Sequence, residues 1–111
     1  TLVHFWASWC EPCLTELPSL EWLADRHAAK GLVVLAVNFR ETDARLRRFL
    51  QTTPIDLTIL RDRDGAAAQA WGVRMFPTSI VVDASGRARW VLRGEQDWAS
   101  PSIEQWIQQF F

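Results

Sequence analysis

The chain has 111 residues, of which 49% are apolar, and a formal net charge of −1 at pH 7. This length and composition suffice for one domain with one hydrophobic core, so we expect a single domain over residues 1–111. A nearly neutral chain has no overall field that would attract nucleic acid, and we predict no nucleic-acid partner. The longest apolar run, residues 32–37, is far shorter than the roughly 20 residues of a membrane-spanning helix.

The first half of the chain alternates apolar strands with amphipathic helices. Residues 2–7 are apolar and aromatic and predict a buried strand, after which a helix is expected to begin at Cys10 and to end before Gly31. A second buried strand is predicted at residues 32–39, a helix at 43–51 and a short strand at 57–60. The chain opens directly in its first strand, so we expect it to be truncated at the amino terminus.

The second half changes character. A short alanine-rich helix is predicted from Asp64 to Trp71. Two extended segments, residues 79–83 and 87–92, flank a turn and predict an antiparallel hairpin, and residues 98–111 predict a final amphipathic helix. The order β-α-β-α-β-α-β-β-α predicts an α/β fold with a mixed central sheet and helices on both faces.

Only two cysteines are present, and they lie three positions apart, at Cys10 and Cys13. The start of a helix stabilises a thiolate, so Cys10 is predicted to be the nucleophile of disulfide exchange, and Cys13, one turn later, the thiol that resolves the mixed disulfide. A zinc site would need about two further ligands. A Cu(I)-binding thiol module remains an alternative, but we predict no metal and no cofactor.

The segment FWASWCEPC, residues 5–13, resembles the active site of thioredoxins, and the closer resemblance is to the TlpA/ResA-like thiol-disulfide oxidoreductases. Residues 43–60 resemble the helix-strand insertion of that family. The resemblance implies a thioredoxin fold and an extracytoplasmic protein, periplasmic or membrane-tethered. It also implies a disulfide-containing protein substrate, such as an apocytochrome c during cytochrome c maturation, and a membrane thiol electron donor.

Several further residues are predicted to belong to the site. Glu16 matches the acidic residue of ResA-like members and lies on the same side of the helix as Cys13, where it could exchange protons. In Met75-Phe76-Pro77-Thr78 the resemblance implies a cis-proline at Pro77, which would face the cysteines and present the backbone of Phe76 to an extended substrate. Trp9 and the loop of Gly94 are expected to complete an apolar groove.

His4 is the clearest departure from plain thioredoxins, which carry a buried aspartate at this strand position. A buried neutral imidazole could relay protons to Cys13, although a histidine in an apolar strand is more often only hydrogen-bonded. Between the cysteines, Glu11 is expected to disfavour the thiolate, because its charge repels a second anion. We therefore predict a monomeric reductase of protein disulfides, with a disulfide oxidase or isomerase as the alternative.

Overall fold

The computed structural model describes all residues from 1 to 111 and contains five strands and four helices. In chain order they are β1 (Leu2–Trp6), α1 (Glu11–His27), β2 (Val34–Phe39), α2 (Asp43–Thr52), β3 (Thr58–Asp62), α3 (Ala66–Ala70), β4 (Thr78–Val82), β5 (Ala88–Arg93) and α4 (Pro101–Ile107). Short 3₁₀ segments follow α1 at Ala28–Lys30 and α4 at Gln108–Phe110. This is the element order that the sequence predicts.

The strands form one mixed sheet in the order β3-β2-β1-β4-β5. The first three strands are parallel to one another, whereas β4 runs antiparallel to β1 and β5 antiparallel to β4. The predicted α/β class, with a mixed sheet, is confirmed. None of the helices combines the length and the apolarity that crossing a membrane requires.

Alternating residues of β1 separate the two faces of the sheet. Leu2 packs with Leu20 and Leu23 of α1 and with Ile107 of α4 in the larger core cluster. On the opposite face, Phe5 lies in the cluster that contains Ala68 of α3. Successive side chains of a strand point to opposite faces, so β1, central and fully buried, is covered by helices on both sides.

Several element ends differ from the sequence prediction by one to three residues, and two of these differences have a clear physical reason. The last helix begins at Pro101 rather than at Trp98, because the carboxylate and carbonyl of Asp97 accept the N–H groups of Ala99 and Ser100 and so form a turn. Strand β3 extends to Asp62 rather than ending at residue 60, because its polar end still pairs with β2. Trp98 is therefore free to enter the core instead of lying on a helix.

Candidate active site

Cys10 lies at the junction between β1 and α1. A turn closes after β1 when the N–H of Cys10 donates to the carbonyl of Ala7 at 3.2 Å. Cys10 then takes the N-cap position of α1 with φ −96° and ψ 101°, and its Sγ accepts the N–H of Cys13 at 3.3 Å. An N-cap sulfur lies against the unpaired N–H groups and the positive end of the helix dipole, which stabilise negative charge.

Cys13 lies one helical turn behind Cys10, and the two are joined in a disulfide with a Cα–Cα distance of 5.3 Å. Cys10 retains 5% of its surface exposed, whereas Cys13 is fully buried. Of the two sulfurs, Cys10 is thus the one nearer to solvent. The two residues can therefore interconvert between a disulfide and a pair of thiols next to the surface of the molecule.

Glu41, which the sequence analysis missed, anchors the turn before Cys10. It lies two residues after the end of β2, its carboxylate is buried, and it accepts the N–H of Ser8 at 2.6 Å as well as the Ser8 hydroxyl. The Asn38 amide donates at 2.9 Å, and Arg45 Nε lies at 3.2 Å. Burial alone would raise the pKa of Glu41, but these donors and the arginine together lower it, so this carboxylate stays charged.

Glu16 lies one turn beyond Cys13 on α1 and is 1% exposed. Its Oε1 accepts the indole N–H of Trp98 at 2.5 Å, and its Oε2 accepts the backbone N–H of Gln96 at 3.3 Å. Burial raises the pKa of Glu16 to about 7, although both hydrogen bonds act in the opposite direction. A carboxyl group in this environment can both give and take a proton near neutral pH.

The side chain of His4, on β1, lies next to Glu16. Its Nδ1 lies 2.9 Å from the Ser79 hydroxyl and 3.7 Å from Oε1 of Glu16, while its Nε2 has no hydrogen-bond partner. Burial lowers the pKa of His4 to about 4, so the ring is neutral near pH 7. The structure therefore brings His4 beside Glu16, and the two side chains form one buried titratable pair behind Cys13.

The residues predicted to form a groove lie around the exposed end of this site. Trp9 is 55% exposed, and its ring meets that of Phe76 edge-on at 5.8 Å. Phe76 packs against the core cluster that contains both cysteines, and the Phe76–Pro77 peptide bond is cis. The N–H of Gly94 donates to the carbonyl of Pro77 at 2.9 Å. Gly94 thus stabilises the loop of Pro77 through a backbone hydrogen bond. Trp9 and Phe76 form the part of the predicted groove that is open to solvent.

Of the two site residues that were not predicted, Glu41 could have been found from the sequence and Trp98 could not. Glu41 comes two residues after a predicted strand, and the carboxyl ends of neighbouring parallel strands meet at one edge of a sheet. That placement could have suggested a contact with the turn after β1. Trp98 carried no such signal, because its indole reaches Glu16 from a turn 82 positions away in the chain.

Comparisons with known proteins agree with this geometry. The chain is 27% identical to the thiol-disulfide oxidoreductase ResA of Bacillus thuringiensis over 96% of its own length, and it spans 60% of that relative. Among solved structures, it is similar to a candidate thiol:disulfide interchange protein DsbE from Chlorobium tepidum, at 30% identity and a TM-score of 0.82, covering 97% of this chain and 74% of the other. It is also similar to an exposed lipoprotein thioredoxin from Streptococcus pneumoniae, at 27% identity and a TM-score of 0.84, covering 97% and 82%.

These similarities confirm the predicted thioredoxin fold and the resemblance to ResA-like proteins. The family profile extends over nearly the whole structure, from β1 to the end of α4, and includes both cysteines. Because residues 1–107 match the description Redoxin, the chain belongs to the Redoxin family.

Proposed function

We propose that this chain is a thiol-disulfide oxidoreductase that reduces disulfides of other proteins through Cys10 and Cys13. The observation that carries the proposal is the placement of Cys10 Sγ at the N-cap of α1, with its disulfide partner buried one turn behind it. A helix start lowers the pKa of a thiol and so supplies the attacking anion. The names of the similar proteins, which describe disulfide interchange, support the same activity.

The reaction begins from the reduced pair. The Cys10 thiolate attacks one sulfur of the substrate disulfide, a mixed disulfide forms, and the released substrate thiolate takes up a proton. Cys13 then loses its proton and attacks Cys10 Sγ, which releases the second substrate thiol. Two electrons have moved from the dithiol to the substrate, and the chain is left with the Cys10–Cys13 disulfide that the structure contains. A donor dithiol restores the reduced pair by the reverse exchange.

Glu16 is proposed to accept the proton of Cys13 in the resolving step. It follows Cys13 by one turn, and its pKa of about 7 lets it be a carboxylate before the transfer and a carboxylic acid after it. His4, at 3.7 Å from Glu16, is proposed to act through that carboxyl group and not on the cysteines directly. Its neutral ring leaves the carboxylate without a fixed cation that would hold it charged.

The proposed direction of electron flow rests on charge. Strong oxidants of this chemistry stabilise their reduced form, that is, their thiolate. Here the residue after Cys10 is the acidic and exposed Glu11. A carboxylate at this position opposes the thiolate, so the pair should give up electrons readily.

The proposed substrates are oxidised proteins outside the cytoplasm. The likeness to an exposed lipoprotein thioredoxin supports this location. An apocytochrome c as the substrate and a membrane thiol carrier as the electron donor complete the proposal, on the basis of the TlpA/ResA-like resemblance. Trp9 and Phe76 would contact the substrate segment next to the attacked disulfide.

Two measurements test the proposal. The protein is equilibrated with glutathione buffers, its thiols are trapped by alkylation, and the reduction potential is read from the oxidised fraction. We expect a value near the reducing, thioredoxin-like end of the scale, roughly −270 mV, whereas a value near −120 mV would contradict the reductase assignment. In parallel, the wild-type protein should reduce insulin with dithiothreitol, and Cys10→Ser should abolish turnover.

The Cys13→Ser variant separates the two cysteine roles. Without the resolving thiol, the mixed disulfide between Cys10 and the substrate should accumulate and be visible by mass spectrometry. An adduct on Cys13 in the Cys10→Ser variant, and none on Cys10 in Cys13→Ser, would reverse the assigned roles. If neither variant forms an adduct, the exchange reaction itself is refuted.

A further inference from the structure

A row of contacting aromatic rings leads away from the reactive cysteine, from the exposed Trp9 to the half-buried Phe76 and Phe39. The ring of Trp9 meets Phe76 at 5.8 Å between centroids, and Phe76 meets Phe39 at 4.6 Å. Phe39 ends β2, and Arg40 follows it with its guanidinium carbon 5.9 Å from the Phe39 centroid. We call the three rings the aromatic strip, which runs from Trp9 beside Cys10 to Phe39, next to the cation of Arg40.

Arg40 is held in place from three directions. Its backbone has a φ of +51°, and its N–H donates to the carbonyl of Asp62 at 2.8 Å. Its stem lies against Gly65, where an added Cβ would approach the Arg40 Cδ to 2.9 Å. A guanidinium near an aromatic face is further stabilised by the ring quadrupole. The backbone and stem of Arg40 are thus held, and its guanidinium lies beside the Phe39 ring.

The guanidinium of Arg40 has no acidic partner in the structure. It takes part in none of the seven ion pairs, and no side-chain hydrogen bond involves it. It borders an open groove of about 300 Å³ together with Arg74 and Asp64. A second groove at Arg40 is lined by Glu41, Asp43, Arg61 and Arg63. Asp64 already accepts the N–H of Ala66. Glu41 and Asp43 pair with Arg45 and Arg61 instead. The Arg40 guanidinium is therefore left without an ion-pair partner.

A left-handed backbone is disfavoured for arginine by roughly 1 kcal/mol or more, since its Cβ approaches the carbonyl oxygen. Such conformations occur more often where a site requires them. Three features meet at Arg40, at the end of the aromatic strip: the left-handed backbone, the close packing of its stem against Gly65, and a guanidinium without an ion-pair partner. These independent features favour a role in recognition over a merely solvated surface charge.

We propose that Arg40 determines substrate specificity by binding an acidic side chain of the disulfide-bearing protein segment that lies along the aromatic strip. The inference rests on the proposed thiol-disulfide exchange and adds to it the chemistry of the preferred substrate. An extended segment rises by about 3.3 Å per residue. The centroid separations span roughly 16 Å from Trp9 to Arg40 and so place the recognised acidic residue about five residues from the attacked cysteine.

The test uses matched synthetic peptides with an intramolecular disulfide. In each pair, one peptide carries glutamate and the other glutamine about five residues from the attacked cysteine, with one pair for the amino-terminal side and one for the carboxyl-terminal side. The wild-type protein should reduce one glutamate peptide roughly two- to fivefold faster in kcat/KM than its glutamine partner, as expected for an exposed ion pair. This preference should shrink in 0.5 M salt, which screens the pair.

Three variants and a neutral substrate sharpen the test. Arg40→Gln should abolish the preference, Arg40→Glu should reverse it, and Arg48→Gln on the exposed face of α2 should retain it. All three should reduce hydroxyethyl disulfide at the wild-type rate, because this small neutral compound does not reach Arg40. The salt dependence of the wild-type preference requires no variant and so does not depend on the folding of any of them.

The outcomes separate the two proposals. Equal rates for both members of each peptide pair in the wild type, or a preference that persists in Arg40→Gln, would overturn the role of Arg40 while leaving disulfide exchange intact. If the wild type reduces neither the peptides nor hydroxyethyl disulfide, the proposed function fails, and the inference built on it fails as well.

Discussion

Two buried glutamates flank the start of α1, and their environments act in opposite directions. Glu41 contacts the turn that precedes the cysteines. It accepts three hydrogen bonds and pairs with Arg45, so its pKa is lowered. Glu16 lies behind the cysteines with two neutral donors and no arginine, and its pKa is raised to about 7. Both side chains are nearly inaccessible to solvent, at 5% and 1% exposure. At Glu41 the donors and Arg45 outweigh the effect of burial on the pKa, whereas at Glu16 the two neutral donors do not. Glu41 is therefore a fixed anchor, and Glu16 can exchange protons.

The largest expected effect comes from removing the anchor. Glu41→Gln replaces two acceptor oxygens by one and leaves Ser8 with a weaker partner, so the free energy of unfolding should fall by about 2 kcal/mol at pH 7. Urea denaturation measures this loss. Glu16→Gln, an equally conservative change at an equally buried site, should cost much less, because the glutamate is already partly protonated there. Equal losses in both variants would contradict the contrast between the two carboxylates.

A double-mutant cycle locates the effect of Glu41. If the anchor acts through the turn before Cys10, Ser8→Ala and Glu41→Gln should be strongly non-additive, since they share two hydrogen bonds. Asn38→Ala, which removes a different donor of the same carboxylate, should couple less to Ser8→Ala. Fully additive losses would show that the turn does not depend on Glu41.

The second prediction concerns the exchange reaction. In Glu16→Gln the resolving step should slow by about tenfold or more near pH 7, because the proposed acceptor of the Cys13 proton is gone. The rate should also lose the inflection that a group with a pKa of about 7 produces. Stopped-flow decay of the mixed disulfide from pH 5.5 to 8.5 measures both. An unchanged profile in Glu16→Gln would remove this residue from the mechanism.

The buried pair of Glu16 and His4 makes a third prediction, on stability. The pKa of Glu16 is raised from 4.5 to about 7, so the folded chain keeps a proton that the unfolded chain releases, and stability falls as pH rises through this window. The pKa of His4 is lowered from 6.5 to about 4, so the unfolded chain binds a proton that the folded chain excludes, and stability falls as pH drops from 6.5 toward 4. Where the windows overlap, the two slopes oppose each other.

Single substitutions should reveal each slope. In His4→Asn, stability should decrease as pH rises from 4.5 to 7, and in Glu16→Gln it should increase from pH 4 to 6.5, by up to about 1 kcal/mol per pH unit in each case. Urea midpoints across this range measure the slopes, and the double variant is the control in which neither contribution remains. A single variant that follows the wild-type curve would show that the substituted residue itself does not titrate as its burial implies.

Local features of the chain were predictable from sequence, whereas contacts between distant segments were not. The Cys10–Cys13 pair and Glu16 lie on consecutive turns of one helix, so their spacing alone brings them together. The contact between Glu41 and Ser8 depends on the parallel register that places Trp6 beside Asn38, which no local pattern determines. Trp98 was expected on a helix and instead lies in a turn, because Asp97 competes for the backbone N–H groups. The fold followed from periodicity, but the partners of the buried acids did not.

The smallest expected effect concerns Arg40, at the end of the aromatic strip, which has a left-handed backbone. Glycine adopts a φ of +51° without a steric cost, while alanine retains the cost and removes only the side chain. Arg40→Gly should therefore exceed Arg40→Ala in free energy of unfolding by about 0.5 kcal/mol, after the greater entropy of glycine in the unfolded chain is deducted. The paired control is Arg48, where glycine in the helix should instead be the less stable variant by about 1 kcal/mol. If Arg40→Gly is no more stable than Arg40→Ala, the arginine backbone is unstrained, and its retention needs no recognition role to offset it.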